Sequence, residues 1–271
     1  MVKFFSTILC TIMLALPLTG CTGTIQNAEK NHQSESKPPK DPNNDNQYPN
    51  QSTATSGNTS SDTEAQKYSN TDSIQVIAKP KSIPVLVNKQ NKLPDSYNPS
   101  DLIYAKIPFV NTAGAEKRKM RKEAAAAIEK LFAEAKQQDV NLLGVSAYRS
   151  HATQITLFNY YVKRDGYKKA RTYSALPGTS EHETGLAIDV TGGNGKCQAQ
   201  DCFGGTKEAI WLQTHAAEYG FIIRYPKGKS SITGYKYEPW HIRYVGKAIA
   251  IEIMDRGITL EEYYQATPVN K

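Results

Sequence analysis

Residues 22–73 are almost wholly Asn, Gln, Ser, Thr, Lys, Asp, Glu and Pro, as in Pro38-Pro39-Lys40-Asp41-Pro42-Asn43-Asn44. Such a stretch holds too little apolar surface to offset the entropy of ordering it, and reads as a flexible tether. Whatever folds must lie C-terminal to it. Residues 74–87 are more apolar and lead in, so that of 271 residues only about 85–266 are left for a globular core, with 267–271 a short tail. That is one domain, not two.

The first twenty residues have the layout of a secretory signal: Lys3, an apolar run over 4–18, then the small residues Thr19 and Gly20 before Cys21. The run is short and broken by Pro17, which argues against a permanent membrane span. Leu18-Thr19-Gly20-Cys21 resembles a bacterial lipobox, in which cleavage precedes a cysteine that then receives lipid. The expectation is a signal peptide over 1–20, a lipid on Cys21, and a protein tethered to the extracytoplasmic face of the membrane through residues 21–84. An ordinary signal with an incidental cysteine is the alternative.

Of four cysteines, Cys10 leaves with the signal, and Cys197 and Cys202 remain as a close pair in an oxidising compartment. A local disulfide is favoured over a two-thiolate metal site, which would need a second ligand pair nearby. The net charge of +7 is spread along the chain without an arginine-rich or aromatic-interleaved tract, so it does not imply nucleic acid. An anionic cell wall suits a basic protein. Nothing in the sequence fixes an oligomeric state.

Hydrophobic periodicity predicts helices over 116–137, 153–162, 206–219 and 246–256, and strands over 141–148, 185–191, 221–225 and 241–245. Helices and strands mix without regular βαβ alternation or a phosphate loop. The fold class expected is α+β, an antiparallel sheet with flanking helices.

Two short segments gather the reactive residues: Ser180-Glu181-His182-Glu183-Thr184-Gly185-Leu186-Ala187-Ile188-Asp189 and Glu238-Pro239-Trp240-His241. On the predicted strand Asp189 points away from the face of Leu186, Ile188 and Val190. A buried carboxylate there needs a partner, and a metal ion with two imidazoles would supply one. His182, Asp189 and His241 would give three ligands with one position left for water, the catalytic arrangement of zinc. Glu238, three residues before His241 and with Pro239 interrupting a regular strand, is where a general base belongs. The remaining histidines, His32, His151 and His215, carry no ligand spacing and receive no role. Trp240 reads as core.

The pattern S-x-H-x-x-G-x-A-x-D followed by E-x-W-H is met in full by Ser180, His182, Gly185, Ala187, Asp189, Glu238, Trp240 and His241, and Tyr148-Arg149-Ser150 with Gln154 completes it. From about residue 85 onward the chain resembles the VanY-type D-alanyl-D-alanine carboxypeptidases and the related LdcB-like L,D-carboxypeptidases, zinc peptidases sharing the lysostaphin and hedgehog fold. The resemblance implies one Zn2+ on His182, Asp189 and His241, Glu238 as base and then proton donor, and Arg149, Gln154 and Ser180 holding the end of a peptidoglycan stem peptide. For Arg149 the chemistry agrees, since a planar guanidinium grips a free carboxylate bidentately. Segments 86–89 and 96–99 look more like the LdcB group, which favours removal of D-alanine from tetrapeptides. A D,D-carboxypeptidase on pentapeptides, a cross-link endopeptidase and a non-catalytic wall-binding lipoprotein are the alternatives.

Overall fold

The computed structural model describes residues 74–266. Cys21, the expected signal and the tether through residue 73 lie outside the described residues, as does the tail 267–271. Chain order gives β1 (Gln75–Val76), β2 (Asn91–Lys92), β3 (Leu102–Tyr104), β4 (Lys119–Arg121), α1 (Lys122–Gln137), β5 (Leu142–Ser146), α2 (His151–Asp165), α3 (Tyr167–Ala170), β6 (Ala187–Gly192), α4 (Lys207–His215), β7 (Phe221–Tyr225), α5 (Ser230–Thr233), β8 (Glu238–Tyr244), α6 (Lys247–Arg256) and α7 (Leu260–Tyr263).

A four-stranded sheet of order β5-β6-β8-β7, antiparallel throughout, carries the fold. Its strands alternate. Ile188 and Val190 of β6 and Trp240 and Ile242 of β8 enter the main core, while Asp189, His241 and Arg243 occupy the other positions. On the core side lies α1, whose Ala124, Ala125, Ile128, Leu131, Phe132 and Ala135 recur at helical spacing and are all buried. Truncating one of the large aliphatics there, such as the fully buried Leu131, would cost about 2–5 kcal/mol. The α+β antiparallel class expected from the sequence is the one observed.

Residues 74–84 join the domain. β1 pairs with β2, Ile77 and Ile83 pack on the core, and the carbonyls of Ile83 and Val85 accept from Arg243 Nη2 at 3.0 and 2.7 Å.

Two sequence expectations fail. The helix predicted over 116–137 starts only at Lys122. Glu116–Arg118 form a 3-10 turn, and β4 then pairs with β3, because the fully buried Met120 is held as a strand residue and not on a helical stripe. Pro239 does not interrupt β8, which runs from Glu238 to Tyr244. Ile242 faces Ile223 but Glu238 faces Tyr225, so four steps on β8 match two on β7. The proline's missing donor falls within this irregularity, where a ladder bond is already absent.

Candidate active site

The register of the sheet brings two of the three expected ligands together. Asp189 on β6 lies directly opposite His241 on β8, and cross-strand partners on one face have Cβ atoms about 5 Å apart. Asp189 Oδ1 stands 3.0 Å from His241 Nδ1. The third arrives on a 3-10 turn, Glu181–Thr184, which places His182 Nε2 3.4 Å from Asp189 Oδ2. Gly185 ends that turn in the left-handed region at φ +69°, and a Cβ there would come within 2.8 Å of Leu102 Cδ2 and 3.4 Å of the Arg121 backbone nitrogen. Only glycine suits the position.

One atom from each of His182, Asp189 and His241 lies within 4.8 Å of the others, and all three residues are buried. Each imidazole has its second nitrogen engaged. His182 Nδ1 is 2.7 Å from the Ala147 carbonyl, leaving Nε2 inward; His241 Nε2 is 3.3 Å from Glu181 Oε2, leaving Nδ1 inward. Such outer partners fix ring orientation and tautomer. A tetrahedral ion with bonds of about 2.0–2.1 Å separates its ligands by about 3.3 Å, close to the spacing found, so the donor set fits zinc with a fourth position open.

Electrostatics support the ligand states. Burial lowers the His182 pKa, outweighing the nearby Asp189 carboxylate that would raise it, and Arg149 adds to the lowering. Burial opposes charge on Asp189, yet His182 and then His241 hold its carboxyl well below the usual range. Burial also opposes charge on His241, but its hydrogen bonds to Asp189 and Glu181 raise it to about 9 without a metal. A metal would displace that proton. Glu238 is raised to about 7, first by burial, with His241 pulling down and Asp189 pushing up. It is only part-buried, so water on its open side and a bound cation both draw it lower.

The bulge in β8 explains how Glu238 can serve the site. Residues three apart on a regular strand face opposite sides, and the irregularity removes that restriction. Arg149 and Gln154 also arrive, Arg149 at the end of the β5 segment and Gln154 in the first turn of α2, which Ser150 caps by accepting from Thr153 N. Arg149 N donates to the His182 carbonyl at 3.2 Å and its Nη1 to Gln154 Oε1 at 2.8 Å. Gln154 in turn donates to the Ala175 carbonyl at 2.7 Å. Arg149 Nε is buried without a partner among the described residues. Ser180 is buried at the start of the His182 turn. Cys197 and Cys202 are joined by a disulfide after β6.

Glu181 went unassigned in the sequence. It is fully buried and accepts from Arg224 Nε at 2.7 Å and Arg243 Nη1 at 2.6 Å; Arg224 continues to Glu261, which also takes Asn88 Nδ2 at 3.2 Å. Burial disfavours its charge, but the two arginines hold its carboxyl far below the usual range. The available clue was Arg224 and Arg243 inside otherwise apolar strands, since buried guanidiniums require buried acids. Of the other histidines, His151 Nδ1 lies 2.7 Å from Glu183, and His215 stacks on Trp211 at 4.7 Å.

A buried two-histidine, one-aspartate set with an open position, a nearby carboxylate and an unfilled arginine defines a metal-dependent hydrolase for substrates ending in a carboxylate. Comparison with known proteins agrees. The family model for VanY, D-alanyl-D-alanine carboxypeptidase, matches residues 117–247. The putative carboxypeptidase YodJ of Bacillus subtilis (strain 168) is 45% identical over 194 residues, 72% of this chain and 71% of its own length. The structure of the LdcB LD-carboxypeptidase superposes with TM-score 0.69 and 44% identity, covering 73% of this chain and 92% of that one. The vancomycin-resistance D,D-pentapeptidase VanY, solved in complex with Zn(II), gives TM-score 0.55 and 31% identity over 67% of this chain and 98% of its own. The chain belongs to the VanY family of D-alanyl-D-alanine carboxypeptidases, and is a carboxypeptidase of the zinc metallopeptidase class.

Proposed function

We propose that this protein is an L,D-carboxypeptidase that removes the terminal D-alanine from peptidoglycan tetrapeptides. The observation that carries a carboxypeptidase assignment is Arg149, buried beside His182, braced by Gln154, and with an Nε that has no partner among the described residues. A buried donor without a partner is costly, and the terminal carboxylate of a peptide relieves that cost bidentately. The preference for tetrapeptide is supported by greater likeness to the LdcB LD-carboxypeptidase than to the D,D-pentapeptidase VanY, 44% against 31% identity.

His182, Asp189 and His241 would hold zinc, which when bound polarises a carbonyl and lowers the pKa of water to about 7. Glu238, partly ionised near neutral pH, accepts the proton of the attacking water and passes it to the leaving D-alanine nitrogen. Arg149 and Gln154 fix the terminal carboxylate, with Ser180 bordering it, and orient the scissile bond. A lipid on Cys21, supported by the lipobox-like Leu18-Thr19-Gly20-Cys21, would keep this chemistry at the extracytoplasmic membrane face. In a test of the specificity, purified zinc-loaded protein receives tetrapeptide and pentapeptide separately. Faster D-alanine release from tetrapeptide, giving tripeptide, is expected; faster release from pentapeptide, stopping at tetrapeptide, would make it a D,D-carboxypeptidase.

A further inference from the structure

Three side chains around the Tyr235 ring and the Arg171 loop take no part in the chemistry above. Lys89 donates from Nζ to the carbonyls of Arg171 at 3.0 Å and Gly234 at 2.6 Å, and lies 4.7 Å from the centre of the Tyr235 ring. An ammonium has three donors, so one N–H of Lys89 has no hydrogen-bond partner among the described residues. The Arg171 guanidinium lies 5.7 Å from the Tyr167 ring and makes no ion pair or side-chain hydrogen bond among the described residues. Tyr235 is only 6% exposed, yet its Oη is buried without a partner among the described residues. Its ring packs on Tyr225 at 4.5 Å and Tyr225 on His241 at 5.0 Å, so this cluster is one aromatic layer away from the metal ligands.

The charges point the same way. Burial and then Arg171 lower Lys89 to about 8, against the charge of Glu238. Two cations, an unfilled N–H and a hydroxyl without a partner among the described residues, gathered one aromatic layer from the metal ligands, make an environment that an anion completes and that repels an amine.

We propose that Lys89, Arg171 and Tyr235 Oη form a second anion site, which binds a free carboxylate on the part of the stem peptide that remains after D-alanine leaves. The inference rests on the carboxypeptidase reading, in which Arg149 already takes the terminal carboxylate. Stem peptides offer two further sources: the side-chain carboxylate of a diamino diacid before the scissile bond, and the α-carboxylate of a γ-linked glutamate before that. The site selects substrates carrying such an acid over those in which it is an amide or is missing.

The test uses the full-length zinc-loaded protein and tetrapeptides in three forms: both carboxylates free, only the diamino-acid carboxylate amidated, and only the glutamate carboxylate amidated. KM and kcat are measured, and the Kd of the corresponding tripeptide products by titration calorimetry. Amidating the bound carboxylate should raise KM and product Kd on the order of tenfold to a hundredfold, the size of a lost charge-assisted contact, with kcat little changed; the arm that responds identifies the source. Lys89→Met and Arg171→Met should erase this discrimination by weakening only the two forms in which the bound carboxylate is free, Lys89→Arg should keep most of it, and Tyr235→Phe should lose part. Because Arg171→Met leaves the backbone carbonyl that Lys89 clamps, it separates recognition from folding. Equal KM and Kd for all three forms in the unsubstituted protein would overturn the proposal. So would Lys89→Met and Arg171→Met variants that weaken all three forms equally, which would mark Lys89 as a clamp between two loops. Since the amide arms can also be run on pentapeptides, an unexpected pentapeptide preference would sink the tetrapeptide assignment and leave this test readable.

Discussion

The two halves of the active site are built differently. On the metal half the buried polar side chains lean on one another in sequence, His182 on the Ala147 carbonyl, His241 on Glu181, and Glu181 on Arg224 and Arg243. On the half proposed to take the substrate, Arg149 Nε and Tyr235 Oη have no partner among the described residues; the metal half leaves one such group, Ser146 Oγ, on the residue paired with Asp189. Native interiors seldom tolerate such leftovers, because each costs about 1–3 kcal/mol. The contrast is one of degree: the ligand imidazoles are oriented by the protein's own groups, while the proposed peptide pocket would be completed by what binds there. Substitutions on one side should then alter metal affinity, and on the other substrate recognition, with little crossover.

Arg149→Met strains that division most. It removes the group assigned to the terminal carboxylate, and kcat/KM for tetrapeptide should fall about a hundredfold or more, the loss of two charge-assisted hydrogen bonds, while zinc content stays at one per chain. Metal loss in that variant would mean that the two halves are not separable. Smaller, and on the opposite side, is Glu181→Gln. Replacing the carboxylate that orients His241 should weaken zinc binding about tenfold to a hundredfold, as competition with a chelator would read, and leave the KM of the zinc-saturated enzyme within about twofold. It also uncouples the buried Arg224 and Arg243, so denaturation should reveal a loss of up to about 3–5 kcal/mol. Unchanged zinc affinity would leave Glu181 a folding residue only.

The disulfide offers the smallest effect. Cys197 and Cys202 close a short loop after β6, remote in role from both halves. Changing both to Ser should lower stability by about 2 kcal/mol without moving kcat, KM or zinc content. A change in zinc affinity instead would tie this loop to the ligand cage.

Sequence and structure agree where spacing alone dictates geometry. Asp189 and His241 are readable because a strand's two-residue period and an apolar opposite face leave them one common side; Gly185, expected to open that strand, instead closes the His182 turn, and the strand starts at Ala187. Glu181 is not readable, since its partners Arg224 and Arg243 are 43 and 62 positions away and meet only after the sheet forms. Lys89 escapes notice for the same reason: the carbonyls it joins belong to residues 82 and 145 positions further on. β4 is hidden inside a helical pattern, because Met120 fits a helix stripe and a buried strand equally well. The bulge that brings Glu238 into use reads in the sequence as a break at Pro239, since a ladder irregularity depends on the neighbouring strand and not on the local residues.

The division between a prebuilt metal cage and separate proton transfer is tested most directly on Glu238→Ala, by measuring bound zinc and D-alanine release on the same sample. Zinc should remain at one per chain with wild-type affinity, while turnover of tetrapeptide falls about a thousandfold or more. The wild-type kcat/KM should decline about tenfold per pH unit below an apparent pKa at or under about 7, the value to which burial raises this carboxyl, and that acid limb should vanish in the variant's residual activity. Loss of zinc in step with activity, or a variant that retains both turnover and the acid limb, would contradict the assignment of Glu238 as a base outside the cage.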